Sequence, residues 1–269
     1  MGYIDAIILG IVQGLTEFLP ISSSGHLVIF QHLLGISSEN IAFEVIVHFG
    51  TLLSVVAVYY IDIRNMIVSF FSGVTRNNII GTYQNDPYFQ LSIFVIIGTI
   101  PAVIAGLFLK DFFVSVFHNV RLVGITLLVT GGIILSTRLI RPVKKQLSIG
   151  SSFLIGIAQS IAILPGISRS GFTISSALIM GVSRENAARF SFLLAVPAIL
   201  GATLLHIIEL TSSEISGIGF GTLFTGFIFS FVVGYIAIRF LLSILKSGKF
   251  GWFAPYCFLA GLIVLIFIK

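Results

Sequence analysis

Long apolar runs alternate with short polar breaks along the whole chain. Six runs can each form a helix that crosses a bilayer, which needs about 20 residues; they cover 41–61, 88–109, 120–138, 187–208, 218–241 and 251–268. Two pairs of shorter runs, 4–19 with 23–35 and 149–164 with 170–181, each flank a polar break that contains proline. Non-helical backbone at membrane depth must be buried in protein or line a cavity. The pattern therefore predicts six transmembrane helices and two re-entrant hairpins, over 4–35 and 149–181.

Composition places the chain among integral membrane proteins. Of its 269 residues, 57% are hydrophobic and 9% are charged, against about 25% charged residues in soluble domains. The net charge of +5 does not indicate a nucleic-acid partner, because the Lys and Arg residues lie in short loops between apolar runs. The single cysteine, Cys257, excludes a disulfide within the chain. We expect one membrane domain over residues 1–269, with the polar linker 62–87 as a solvent-exposed loop.

The second half of the chain repeats the first at an offset of 146 positions without a gap. The matched pairs include Gln13 with Gln159, Ser22 with Ser168, Ser24 with Ser170 and Gly25 with Gly171. Each unit, about 3–138 and 149–269, contains one hairpin and three spans, and three is odd, so the second unit enters the membrane from the opposite side. The predicted fold is an all-α integral membrane protein with two inverted-topology repeats, in which broken helices meet near the membrane midplane.

Loop charges orient this fold. Most of the basic residues fall on one face: Arg64, Arg76, Arg138, Arg141, Lys144, Lys145, Arg184, Arg189, Lys246 and Lys249. By the positive-inside rule this face is cytoplasmic. Both termini and the mouth of the first hairpin then face outward, and the second hairpin enters from the cytoplasm.

The break in the first hairpin contains groups that are costly in lipid. Residues 13–26 read QGLTEFLPISSSGH and place Glu17, three consecutive serines and His26 between apolar flanks. Ionisable residues at this depth usually serve a function. The structural alternative is helix capping by the serines, which explains neither Glu17 nor His26.

The second break differs from the first at the chemically important positions. Under the same offset, Glu17 corresponds to Ile163, His26 to Phe172 and Ser23 to Arg169. Arg169 lies among hydroxyl residues at a predicted helix start, and a guanidinium with hydroxyls and free helix amides suits a phosphate or pyrophosphate. The alternative for Arg169 is snorkelling to the cytoplasmic interface.

The strings QGLTEFLPISSSGH and LPGISRSGFT resemble the two signature motifs of the undecaprenyl-pyrophosphate phosphatase family, the bacitracin-resistance proteins. The resemblance extends over essentially the whole chain. It implies a bacterial cell-membrane enzyme, with its site open to the outer face, that removes the terminal phosphate of undecaprenyl pyrophosphate and recycles this carrier lipid for peptidoglycan synthesis. It further implies a divalent cation and catalytic roles for Glu17, Ser23, His26 and Arg169. Gln13 stands where the family motif has Glu or Gln, which weakens any mechanism in which two carboxylates hold the cation.

The residue types suit this chemistry. Pyrophosphate hydrolysis needs charge stabilisation on the transferred phosphoryl group, a nucleophile and a proton donor. Arg169 with the hairpin amides can supply the first, and either Ser23, with His26 as its base, or His26 itself can supply the second. Glu17, as the expected ligand of Mg²⁺ or Ca²⁺, would orient the reaction. Substrate contacts are predicted for Gln13, Ser22, Ser24, Gly25, Ser168, Ser170, Gly171 and Thr173.

The sequence leaves alternatives open for the function, for one polar pair and for two glycine motifs. A transporter or flippase competes with the phosphatase, because inverted repeats with broken helices are typical of alternating-access carriers; a carrier, however, needs no proton-transfer residues confined to one repeat. Glu44 and His48, one helical turn apart, either support the site or pair with each other. Gly10-x-x-x-Gly14 and Gly217-x-x-x-Gly221 favour helix packing or a homodimer.

Overall fold

The computed structural model describes residues 1–36, 41–75, 78–117, 119–140, 145–209 and 218–267. Within these ranges the regular elements are helical. The α-helices are α1 (Tyr3–Phe18), α2 (Ser23–Leu33), α3 (Ile41–Val58), α4 (Tyr60–Val74), α5 (Ile79–Asn85), α6 (Pro87–Phe108), α7 (Lys110–Phe117), α8 (Val120–Ser136), α9 (Ile149–Ile161), α10 (Arg169–Ile179), α11 (Arg184–Glu209), α12 (Phe220–Lys246) and α13 (Phe253–Phe267). Short 3-10 turns, Thr137–Leu139 and Phe250–Trp252, follow α8 and precede α13.

Several of these helices can cross a membrane. In the described ranges α6, α8, α11, α12 and α13, with the 3-10 turns beside α8 and α13, are long and apolar enough to span. A sixth span is counted if α3 and α4, which meet at a bend of 81°, are taken together. The prediction of an all-α integral membrane protein is therefore confirmed, while the inverted topology of the two repeats stays a prediction.

The prediction of a solvent-exposed loop over residues 62–87 is wrong. The chain forms α4 and α5 there. Ile63 and Met66 pack against the largest hydrophobic cluster, and Asp62 pairs with Arg189 of α11. Apolar residues at helical spacing among polar ones make α4 amphipathic, and a search for long apolar runs overlooks a helix of this kind.

Two helix breaks share one design. The first separates α1 from α2 and the second separates α9 from α10. Ser22 Oγ accepts the N–H of Gly25 at 3.3 Å, and Ser168 Oγ accepts the N–H of Gly171 at 3.1 Å. Each serine thus satisfies an amide that the helix leaves without a partner. The capping interpretation holds for these two serines.

Glycines bring α1 close to α12. A Cβ on Gly10 would lie 2.8 Å from the carbonyl oxygen of Gly226, and a Cβ on Gly14 would lie 2.9 Å from the nitrogen of Gly234. The Gly10-x-x-x-Gly14 motif is therefore a packing contact within the chain, whereas Gly217 lies outside the described residues.

Helices α6 and α8 hold the second hairpin. Gly156 of α9 packs directly on Gly98 of α6, so the first helix of each hairpin lies against a helix from the other half of the chain. On α8, Thr126 donates to the carbonyl of Pro165 at 2.6 Å and Thr130 donates to that of Gly166 at 3.1 Å. These hydroxyls satisfy carbonyls that the break removes from helical bonding.

Candidate active site

The two breaks meet at an ion pair. Arg169, the first residue of α10, donates from Nη2 to Oε1 of Glu17 at 2.5 Å, although the residues are 152 positions apart. Glu17 is 7% exposed, and the Arg169 side chain is 19% exposed. A buried carboxylate requires a compensating charge, and Arg169 supplies it. The snorkelling interpretation of Arg169 is wrong, because its guanidinium is directed to Glu17 and to the Ala195 carbonyl.

The other carboxylate oxygen of Glu17 faces three polar side chains. Ser23 Oγ donates to Oε2 at 2.5 Å and Gln13 Nε2 donates at 3.0 Å. His48 Nε2 lies 3.9 Å from the same oxygen. Ser23 is only partly buried, so its hydroxyl lies at the edge of the site and next to a base. A serine paired with a base in this way can act as a nucleophile.

The other hydroxyls of the two breaks mainly hold each other and the backbone. Ser22 Oγ lies 3.4 Å from Ser24 Oγ, and Ser168 Oγ lies 3.2 Å from Ser170 Oγ. Thr173 donates to the carbonyl of Arg169 at 2.8 Å. These bonds fix the starts of α2 and α10 beside the ion pair, where N-terminal amides favour an anion.

Two glycines allow the breaks to approach each other. A Cβ on Gly25 would lie 3.1 Å from the Cα of Gly166, and a Cβ on Gly171 would lie 3.3 Å from the Cβ of Pro20. Both contacts join one break to the other. Their observed role is close packing of the two helix starts.

Two hydrogen bonds hold the His26 ring in place. Its Nδ1 lies 2.8 Å from the Ser22 carbonyl oxygen, which can only accept, so Nδ1 carries the hydrogen. Its Nε2 then accepts from the Tyr256 hydroxyl at 2.7 Å, 230 positions along the chain in α13. The ring is 5% exposed and stacks on that of Tyr256, with centroids 5.7 Å apart. Both nitrogens of His26 are therefore engaged within the protein.

His48 reaches the site from α3. Its Nδ1 lies 2.8 Å from the carbonyl oxygen of Glu44, one turn earlier. The Glu44 carboxylate instead accepts from Gln31 Nε2 at 3.0 Å. Of the two interpretations of this pair, the geometry favours support of the site, because the free edge of the His48 ring faces Glu17.

The whole chain is similar to known proteins. A sequence model described as bacitracin resistance protein BacA matches residues 6–263. The chain belongs to the BacA family. A protein of Halothermothrix orenii named undecaprenyl-diphosphatase is 42% identical over 99% of this chain and 98% of its own length. Proteins of the same name from Korarchaeum cryptofilum and Desulfosudis oleivorans are 42% and 44% identical, over 97% and 96% of both chains.

In this BacA family member, the side chains around Glu17 do not form a ready-made cation site. No group of three or more His, Cys, Asp and Glu residues that could hold a metal ion occurs within the described ranges. Mg²⁺ and Ca²⁺ take several oxygen ligands, whereas hydrogen-bond donors from Arg169, Ser23 and Gln13 surround the single carboxylate. The predicted ligation of a cation by Glu17 does not fit this arrangement.

Sequence reasoning missed two polar contacts of the site. From the sequence, Tyr256 is only part of an apolar span, and Gln31 is only part of the second helix of the first hairpin. Neither position lies in a motif that marks it. Their contacts depend on how α13 and α3 pack against the first hairpin, which no local pattern encodes.

Proposed function

We propose that the protein is a membrane phosphatase that hydrolyses undecaprenyl pyrophosphate to undecaprenyl phosphate and inorganic phosphate. The observation that carries the proposal is the contact of Arg169 and Ser23 with one buried carboxylate, Glu17, in a chain whose relatives are named undecaprenyl-diphosphatase. A guanidinium, a hydroxyl beside a base and two helix N-termini are parts that phosphoryl transfer uses. This activity would recycle the carrier lipid for peptidoglycan synthesis and confer resistance to bacitracin.

In the first step of this proposal, Ser23 attacks the terminal phosphorus. Its proton passes to Glu17, the Oγ–P bond forms, the bridging P–O bond breaks, and the lipid phosphate leaves with the electron pair. The guanidinium of Arg169 neutralises charge on the transferred phosphoryl group. Ser23 is favoured over His26 as nucleophile because Ser23 already contacts a base, whereas Nε2 of His26 is bonded to Tyr256.

The pyrophosphate is proposed to bind between the starts of α2 and α10. The first-turn amides of Ser24 and Ser170 lie there with the positive ends of two helix dipoles, whereas the amides of Gly25 and Gly171 are bonded to the capping serines. A divalent cation enters this proposal with the substrate, since Mg²⁺ commonly binds substrate phosphates and retains water ligands. The proposed transfer of the phosphoryl group to Ser23 does not depend on this cation.

Membrane orientation and the inverted repeat belong to the same proposal. The packing of each hairpin on a helix of the other half supports the repeat, and the distribution of Lys and Arg supports a site open to the outer face of the bacterial cell membrane.

Cysteine labelling tests this orientation. In a Cys257→Ala background, Ser213→Cys should react with an impermeant thiol reagent on intact cells and Lys145→Cys should not; the reverse would refute this orientation. A homodimer stays a prediction without an assigned surface.

A transporter or flippase is not proposed. The named relatives are diphosphatases, and transport does not require a serine hydroxyl bonded to a buried carboxylate.

The phosphatase proposal is tested with purified protein in detergent, given a polyprenyl pyrophosphate with Mg²⁺, Ca²⁺ or Mn²⁺. Release of inorganic phosphate is expected, and the lipid monophosphate should release none. Folded protein that releases no phosphate under any of these conditions would refute it.

A further inference from the structure

Among the described residues, Nε2 of His48 is the ring nitrogen near Glu17 that is not engaged in a hydrogen bond. Its Nδ1 faces a carbonyl oxygen, so Nδ1 carries a hydrogen and Nε2 of the neutral ring is an acceptor. The His48 side chain is 32% exposed. Its Nε2 lone pair therefore belongs to a side chain that is partly exposed and lies 3.9 Å from Glu17. His26 differs in both respects, because it is buried and its Nε2 is occupied.

The separation of His48 from Glu17 points to a bridging donor. Nε2 of His48 and Oε2 of Glu17 lie 3.9 Å apart, which is too far for a direct hydrogen bond. Two acceptors at this distance suit a water molecule that donates one O–H to each of them. The lone pairs of that water are then free to face a phosphorus atom. Ser23 is bonded to the same Oε2, so the water position adjoins the hydroxyl that becomes phosphorylated.

We propose that His48 is a catalytic residue of the second half-reaction, in which the phosphorylated serine is hydrolysed. This inference rests on the proposed function. Nε2 of His48 holds the attacking water beside Glu17; the water oxygen forms the new bond to phosphorus, and one of its protons passes to that Nε2. The Oγ–P bond breaks, and Ser23 Oγ takes back the proton that Glu17 received in the first step. Inorganic phosphate leaves, and His48 returns its proton to solvent, which completes the balance.

The role of His48 is tested by trapping the intermediate. Wild type and His48→Ala are purified in detergent and given a polyprenyl pyrophosphate labelled in its terminal phosphate, and protein-bound label is counted after an acid quench. His48→Ala should lose about 100-fold or more in kcat, the usual range for a lost general base, and KM should fall in parallel, because kcat/KM reports the first half-reaction, in which His48 takes no part. It should also accumulate label up to about one per protein, stable to acid as a phosphoserine is. Ser23→Ala in the same background should abolish that label.

Further variants separate a catalytic role from a structural one. Added imidazole should restore part of the turnover of His48→Ala, because the vacated position is accessible. His32→Ala, an exposed histidine at the end of α2, is the matched control and should behave as wild type. His48→Gln, which keeps an acceptor but no base, should also accumulate label and serves as the test if His48→Ala does not fold.

The outcomes distinguish this inference from the function on which it rests. Wild type that releases no phosphate would refute the phosphatase proposal and with it the role of His48. Active wild type together with folded His48 variants that turn over normally, or that slow down without trapping label, would overturn the inference alone and leave the phosphatase proposal standing.

Discussion

The two hairpins have the same backbone design and different chemistry. Each has a short helix, a polar break and a second helix capped by a serine, Ser22 in one and Ser168 in the other. The first hairpin adds the carboxylate of Glu17 and the hydroxyl of Ser23, and the second adds the guanidinium of Arg169. The repeat therefore supplies two helix N-termini, and the positions at which the halves differ supply the reactive groups.

The matched glutamines show the same division. Gln13 donates to Glu17 at 3.0 Å. Its counterpart Gln159 is 2% exposed, and neither of its amide atoms has a hydrogen-bond partner among the described residues. Ile163 stands where Glu17 would be in the second hairpin, so Gln159 lacks the acceptor that Gln13 uses. A residue retained by the repeat thus serves the site in only one half.

The largest effect is expected from Arg169. Arg169→Ala should lower phosphate release by about 1,000-fold or more, as for other arginines that stabilise phosphoryl transfer. Arg169→Lys should recover part of the loss, because it keeps the charge but lacks the bidentate fork. Steady-state release from the purified variants measures this, with Arg239→Ala as control, since Arg239 is exposed and, among the described residues, is bonded only to Tyr235. Near-normal turnover by folded Arg169→Ala would make the second hairpin a scaffold only.

The neighbouring serines of the first hairpin give the next largest contrast. Ser23→Ala removes the hydroxyl bonded to Glu17 and should lower kcat by about 100-fold or more. Ser24→Ala removes a hydroxyl whose contact is Ser22 Oγ at 3.4 Å and should change kcat by less than about tenfold. The comparison is made at saturating substrate. Equal losses in the two variants would remove the reason to distinguish Ser23 as the nucleophile.

A smaller effect is expected from Tyr256. Tyr256→Phe keeps the ring that stacks on His26 but removes the hydroxyl bonded to Nε2. A hydrogen bond of this kind contributes about 1 kcal/mol net, so activity and the free energy of unfolding should fall modestly, with kcat reduced by about two- to tenfold. Tyr235→Phe is the matched control. If Tyr256→Phe were inactive, His26 would need its partner for chemistry and not only for position.

The smallest effect compares the two glutamines. Gln159→Leu should leave activity unchanged and the free energy of unfolding equal or about 1 kcal/mol higher, because it removes buried polar atoms without partners. Gln13→Leu should lower activity, since Glu17 loses a donor. Thermal unfolding in detergent and phosphate release measure both. A strongly destabilised Gln159→Leu would mean that Gln159 has a partner, such as water, in the folded protein.

Much of the architecture follows from the sequence, and the rest depends on packing. Span lengths and polar breaks predict the long helices because lipid forces backbone bonds to close within a segment. They do not predict α4, whose amphipathic sequence lacks a long apolar run. Motifs in the breaks mark Glu17 and Arg169, and helical spacing marks His48 only as one of two alternatives, whereas Tyr256 enters the site because a whole helix packs there. The hydrogen bond to Nε2 of His26 likewise depends on a tyrosine 230 positions away.

In the proposed mechanism both hairpins act on one transition state, and a double-mutant cycle between Glu17 and Arg169 tests this. Phosphate release is measured for wild type, Glu17→Gln, Arg169→Ala and the double variant, all verified as folded. Groups of one catalytic unit have non-additive effects. The rate of phosphate release by the double variant should therefore lie within about threefold of the rate of the slower single variant. Losses that multiply in full would mean that the two hairpins contribute independently, which would contradict a shared site.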